Sequence, residues 1–290
     1  MFHLLLALLF SAAISLFLKI FSREDGNRYG IIIGNYLTCS VVAFLMLPDK
    51  GLLFHAEGTT YLVGIATGLL FIFSMVVTQT SILRNGATLT SAFSKLGPLI
   101  SLALAILAFG ERPRPLQIPG VILVLAAIFL INSKEEGTAS EQSGQSRFRS
   151  GGLALLLLCF LGSGTGEAMS KVFERVGSRA EDGIFLFLIF FTALVISLFL
   201  AEGERRRTGK RLTLKEMASG ITVGLPNYFS SFMLLRSLVT LPALLVYPVF
   251  STGSIVVVML VSTLFLKERI TRRQLLGIGL ILAALVLLNL

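Results

Sequence analysis

Residues 109–132, FGERPRPLQIPGVILVLAAIFLIN, and residues 266–289, LKERITRRQLLGIGLILAALVLLN, follow one pattern. Each closes an apolar run on a Glu-Arg pair, turns through basic residues and enters a second apolar run. Glu111-Arg112 and Glu268-Arg269, Gln117 and Gln274, Gly120 and Gly277, and Asn132 and Asn289 are in register at an offset of 157. Upstream, the register holds at an offset of 152: Ser11 with Ser163, Lys19 with Lys171, Phe21 with Phe173, Gly68 with Gly220, and Leu83-Arg84 with Leu235-Arg236. One insertion in the second half reconciles the two offsets. Landmarks kept at a fixed separation along a chain are the mark of a duplicated unit.

The duplicated unit is built for lipid. Of the 290 residues 54% are hydrophobic and 14% charged, and the mean hydropathy is +0.86, more apolar surface than a soluble domain buries. A helix crosses the hydrocarbon core with about 20 residues. Charged and Gly/Pro-rich breaks then divide the chain into ten spans, at 2–21, 29–47, 60–83, 88–109, 116–132, 152–172, 183–201, 216–236, 242–266 and 273–290. None shows the alternation of a barrel strand, so all are read as helices. The first could be mistaken for a secretory signal, but no positive charge precedes it and its apolar run continues through Phe21.

A hydrophilic stretch, 133–150, separates a first five-helix repeat (1–132) from a second (151–290) and reads as a flexible linker. Five is odd, so the second repeat enters the membrane from the opposite side. The expected fold is all-α, ten transmembrane helices in two inverted five-helix repeats, with a substrate site near the midplane. The formal charge of +9 does not point to nucleic acid, because Lys and Arg sit mostly in short connections between spans. Cys39 and Cys159 lie inside apolar runs and form no disulfide or zinc pattern.

The Gly110-Glu111-Arg112 and Lys267-Glu268-Arg269 helix ends, each followed by a Gly-containing apolar helix, resemble the drug/metabolite transporter superfamily, and within it the ten-helix EamA-like branch. Lys19 and Lys171 at the close of each half's first helix, and Pro98 and Pro248 in each fourth helix, strengthen the resemblance, which covers nearly the whole chain. The chain departs from many relatives in having no Trp, with Ser11-Ala12 and Gly162-Ser163 where a Trp-Gly pair is common. What the resemblance implies is a multi-pass metabolite transporter of the cell (plasma or inner) membrane. No cofactor or metal is expected from the residues, and the chain is expected to be a monomer or a homodimer.

Ionisable groups deep in a span are functional candidates by default. Lys95, among Ser91, Ser94 and Pro98, either snorkels or holds a substrate anion, pairing with Glu167 when the site is empty. Glu167 follows the run Gly162-Ser163-Gly164-Thr165-Gly166 and either pairs with Lys171 one turn on or exchanges a proton for substrate. The glycines of that run suit close helix packing, or a distortion beside a cavity. Pro226-Asn227-Tyr228 and Tyr247-Pro248 join missing backbone donors to polar side chains. With Asn35, Tyr36, Gln79 and Ser251 they complete the candidate substrate contacts, each of which can equally bond a neighbouring helix. Glu111 and Glu268 read as helix-end structure, and His3 and His55 stand alone.

The function these residues imply is secondary transport of small metabolites, amino acids or related polar compounds, out of the cell by alternating access, with two alternatives within transport: drug/proton antiport and lipid-carrier flipping. No Walker motif supplies ATP, leaving a gradient, with protons a candidate coupling ion. An intramembrane enzyme has little support, since Asp25, Asp49 and Asp182 fall in connections and no acid-base constellation lies within a span. The odd-numbered loops carry 16 Lys and Arg against 6 in the others, which places both termini outside, whereas the family resemblance implies cytoplasmic termini.

Overall fold

A computed structural model describes residues 1–21, 29–85, 90, 93–94, 96–110, 112, 114–132, 150–209, 211–265 and 272–289. Among them are ten α-helices: α1 (Phe2–Phe21), α2 (Gly30–Leu45), α3 (Gly58–Asn85), α4 (Pro98–Leu107), α5 (Gln117–Asn132), α6 (Ser150–Val176), α7 (Asp182–Thr208), α8 (Leu214–Thr240), α9 (Ala243–Phe265) and α10 (Arg272–Asn289). The described residues contain no strand. Nine helices occupy the expected spans. The fourth differs: the expected span 88–109 is not one uninterrupted helix, because a turn at Leu96-Gly97 precedes α4, which starts at Pro98. Pro lacks an N–H and suits the first position of a helix, so the chain restarts there. Four helices are long and apolar enough to cross a membrane on those grounds alone, within Gly58–Ile82, Gly152–Val176, Arg179–Thr208 and Ala243–Leu264. At 1.5 Å per residue, the ten residues of α4 reach only about half-way through the hydrocarbon.

The chain divides into two compact units, one of residues 1–72 and 169–268, the other of 73–168 and 269–290. Each unit takes helices from both halves of the sequence. In the first, α2 packs on α7 and α8, and α1 on α8 and α9. In the second, α5 packs on α10.

Glycine pairs decide the closest approaches of the first unit. Gly220 and Gly224 of α8 lie on the α2 backbone: a Cβ at Gly220 would collide with the Ile31 carbonyl oxygen and stand 2.8 Å from Gly34 Cα. A Cβ at Gly224 would be 2.7 Å from Asn35 O. Gly30 and Gly34 supply the same four-residue spacing on α2, with Gly34 set against the Met217 carbonyl. Gly64 and Gly68 of α3 do for α7 what Gly220 and Gly224 do for α2, a Cβ at Gly68 falling 2.6 Å from Ile189 O. Without a hydrophobic force between helices in lipid, such backbone approach is the main source of packing energy. Gly68 and Gly220 are the landmarks at the 152 offset. The third helix of each half therefore docks on the second helix of the other half, the exchange of partners that a two-fold relation between repeats produces.

At one end of this unit the chain 46–57 is fastened down. Leu47 packs with Ile184 and Leu188, joined by Leu52, Leu53, Ala56 and Tyr61. Tyr61 donates its hydroxyl to the Leu53 carbonyl. The buried Glu181 carboxylate accepts from Glu57 N at 3.1 Å and from the Thr60 hydroxyl, giving α3 an anionic N-terminal partner.

Candidate functional site

The second unit holds the break before α4. Pro98 cannot donate to the carbonyl one turn back, that of Ser94. Gly97 N donates to that carbonyl at 3.1 Å, and the Ser163 hydroxyl of α6 donates to it at 2.9 Å. The backbones are close enough at this point that a Cβ on Gly97 would lie 2.9 Å from Gly164 N. One turn into α4, the Ser101 hydroxyl donates to Gly164 O at 3.1 Å. Gly162 sits against Ser74 of α3, a Cβ there meeting Ser74 Cβ at 3.0 Å. The glycines of the Gly162–Gly166 run thus seat α6 against α3 and the start of α4, while hydroxyls from both sides satisfy backbone groups in and beside the break.

Glu167, Gln79 and Ser94 all belong to this unit. Glu167 stands one turn beyond Ser163 on α6, half-buried, with its Oε2 shielded from solvent. The Gln79 amide oxygen and the Ser94 hydroxyl are buried and meet no hydrogen-bond partner among the described residues. Such atoms cost about 1–3 kcal/mol each if left unmet. Lys95 follows Ser94 directly and lies outside the described residues. Lys171, the residue one turn after Glu167, makes an ion pair at 2.9 Å with Glu174.

Other predicted contacts fall in the first unit, mostly on packed surfaces. The Asn227 amide donates to Asn35 Oδ1 at 3.1 Å across the α2–α8 seam. The Cys39 thiol donates to Gly224 O at 3.2 Å in the same seam. Tyr36 and Tyr228 are both buried near Phe190, with ring centroids 6.4 and 6.3 Å from it. Tyr247 and Ser251 are buried on α9, which runs unbroken through Pro248. Glu111 and Glu268 lie outside the described residues, as do residues 133–149 of the linker. Sequence reasoning missed the Ser163 and Ser101 cross-bonds. Their signal was present: a proline inside an apolar span needs an outside donor, and a Ser within a glycine run is one that can come close.

Ten helices and no strand among the described residues, four of the helices long and apolar enough to cross a membrane, and polar atoms buried in an apolar unit fit one class: a multi-pass membrane transporter. The sequence profile of the EamA-like transporter family matches residues 1–133 and 149–290, and the chain belongs to that family, within the drug/metabolite transporter superfamily. It is similar to an uncharacterized protein of Haemophilus influenzae, 26% identical over 293 residues, covering 98% of this chain and 96% of that protein. A solved crystal structure superposes with a TM-score of 0.77 at 13% identity, over 98% of this chain and 94% of its own, a likeness of fold.

Proposed function

We propose that this transporter moves small polar metabolites, amino acids or related compounds, out of the cell by alternating access, with the broken α4 and the facing stretch of α6 as its substrate site. The observation that carries the reading is that Gln79 Oε1 and Ser94 Oγ, in the unit that also contains Glu167, are buried without a hydrogen-bond partner among the described residues. In this reading Lys95 receives the substrate's anionic group, Glu167 its cationic group or a coupling proton, and Gln79 a neutral polar group. A half-length helix lets unpaired backbone groups and polar side chains face a cavity that lipid cannot enter. Lys95 argues against lipophilic cations as cargo, since a second cation near it is repelled.

The two repeats, 1–132 and 151–290 joined by the 133–150 linker, form the framework of the proposal. Rocking one sequence half as a rigid body against the other would pull apart the α2–α8 and α3–α7 glycine seams, so the proposed motion is at the α4 break. Asn35, Tyr36, Asn227, Tyr228, Tyr247 and Ser251 are assigned to the scaffold. Efflux from loaded proteoliposomes, run over a metabolite panel with and without a pH gradient, tests the reading. Transport of a zwitterionic or anionic metabolite that Lys95→Ala abolishes supports it. Transport restricted to lipophilic cations or to lipid-linked carriers refutes it.

A further inference from the structure

Helix α7 runs beyond Leu198 and Phe199 into Glu202-Gly203-Glu204-Arg205-Arg206-Arg207 before Gly209 ends it in a left-handed turn at φ 73°. Gly209 N donates to Arg205 O at 2.9 Å, a complete C-terminal cap. Thr213 then opens α8 with a reciprocal cap: Glu216 N donates to its hydroxyl at 3.3 Å, and Thr213 N donates to the Glu216 carboxylate at 3.1 Å. Backbone groups at both helix ends are thereby met, and the basic side chains between them are not needed for capping. Glu202 engages Arg205 at 2.6 Å and Arg206 at 2.8 Å. Arg207, Arg211 and Lys215 are exposed and meet no acidic partner among the described residues.

Apolar side chains share this exposed tip. Leu212 and Leu214 are 36% and 87% exposed, and Leu214 is the first residue of α8, between Arg211 and Lys215 in the chain. A soluble acidic partner matches the charges and leaves the leucines in water. A lipid headgroup layer matches both, phosphates for the cations and acyl chains for the leucines.

We propose that the α7–α8 tip, through Arg207, Arg211 and Lys215, binds the phosphates of anionic phospholipid in the leaflet it faces, with Leu212 and Leu214 among the acyl chains. This surface is separate from the transport reading and stands without it. In bacterial-type membranes it anchors the tip to the anion-rich leaflet.

The test uses the full-length protein in a neutral detergent, titrated with phosphatidylglycerol or phosphatidylcholine, with retained lipid counted by native mass spectrometry and stability followed by thermal unfolding. Phosphatidylglycerol is expected to be retained and to raise the unfolding temperature, and phosphatidylcholine is not. High salt on the wild type removes the difference. The combined change R207Q, R211Q and K215Q lowers phosphatidylglycerol affinity by about a hundredfold, each near-surface cation contributing about fivefold. The pair R84Q and R112Q, exposed arginines away from this tip, leaves it unchanged. Equal retention of both lipids, a preference that survives the triple change or high salt, or equal binding of soluble polyglutamate overturns the assignment.

Discussion

The crossing of α4 with α6 and that of α1 with α9 each join the fourth helix of one half to the first helix of the other, yet they are built differently. At the first, the helix is interrupted before Pro98, and hydroxyls reach across: Ser163 to Ser94 O, Ser101 to Gly164 O. At the second, α9 continues through Pro248, and the hydroxyls of Thr252 and Ser15 bond to their own helices: Thr252 to Pro248 O at 2.6 Å, Ser15 to Ser11 O at 3.3 Å. At the 152 offset, Glu167 corresponds to Ser15, and Lys95 to Tyr247. Corresponding positions of the two crossings thus carry different side chains, and the proposed substrate groups fall on one of them alone. Ionisable residues deep in a span are functional candidates by default.

The largest expected effect breaks the comparison if it is wrong. Glu167→Gln and Lys95→Ala are each predicted to cut initial transport by about a hundredfold in proteoliposomes, the scale of losing a charged contact at the transported species. Ser15→Ala and Tyr247→Phe, at the corresponding places, are predicted to stay within about twofold. Comparable losses at both crossings would mean that the arms share the work. A flux in Glu167→Gln that loses its pH dependence but keeps its amplitude would assign the carboxylate to protons alone.

Next in size is the frame. Gly220→Val drives side-chain atoms into the α2 backbone beside Ile31, Gly34 and Asn35, and Gly68→Val does the same to α7 beside Ile189 and Thr192. Each is predicted to destabilise by several kcal/mol, read as a loss of folded protein on size exclusion and a lower unfolding temperature in detergent. Gly279→Val, where a Cβ meets nothing within 4 Å, is the silent control. Similar losses at Gly220 and Gly68 sharpen the contrast between a symmetric frame and an asymmetric site. A tolerated Gly220→Val would remove the α2–α8 seam from the account.

A smaller effect separates the two crossings themselves. Ser163→Ala leaves the Ser94 carbonyl with Gly97 N alone, at a predicted cost of about 1 kcal/mol, with transport slowed a few-fold. Ser11→Ala, at the matching position, is predicted to change neither stability nor flux measurably. Ser163→Cys, which keeps a weak donor, should recover part of the rate if the hydroxyl positions the break.

Hydrophobic run length and the spacing of charges were sufficient to locate the helices, because a lipid solvent leaves few alternatives to an apolar helix of about 20 residues. Gly68 and Gly220 were visible as landmarks of duplication, but the backbone that each touches is set by a helix more than a hundred residues away. The restart at Pro98 was foreshadowed by the proline; the bond from Ser163 that stabilises it was not, being tertiary. Glu181 was passed over, since nothing in its local sequence says that it caps α3. Lys171 also pairs with Glu174, three residues on, a contact that the spacing of Glu167 and Lys171 did not suggest.

Asn35 and Asn227 show most clearly how a polar residue in a span divides between site and scaffold. Each alone reads as a substrate contact, but together they form one amide-to-amide bond in a seam where both backbones are closed to ligand by Gly34, Gly220 and Gly224. A double-mutant cycle with Asn35→Leu and Asn227→Leu is predicted to give a coupling of about 0.6 kcal/mol, and at most about 1.7, as membrane hydrogen bonds do, because the separated helices find other partners. The KM for transport is predicted to be unchanged in both single variants. A coupling near zero together with a raised KM would move this pair from the frame to the site, and with it the asymmetry between the two arms would shrink, since α2 and α8 come from opposite halves.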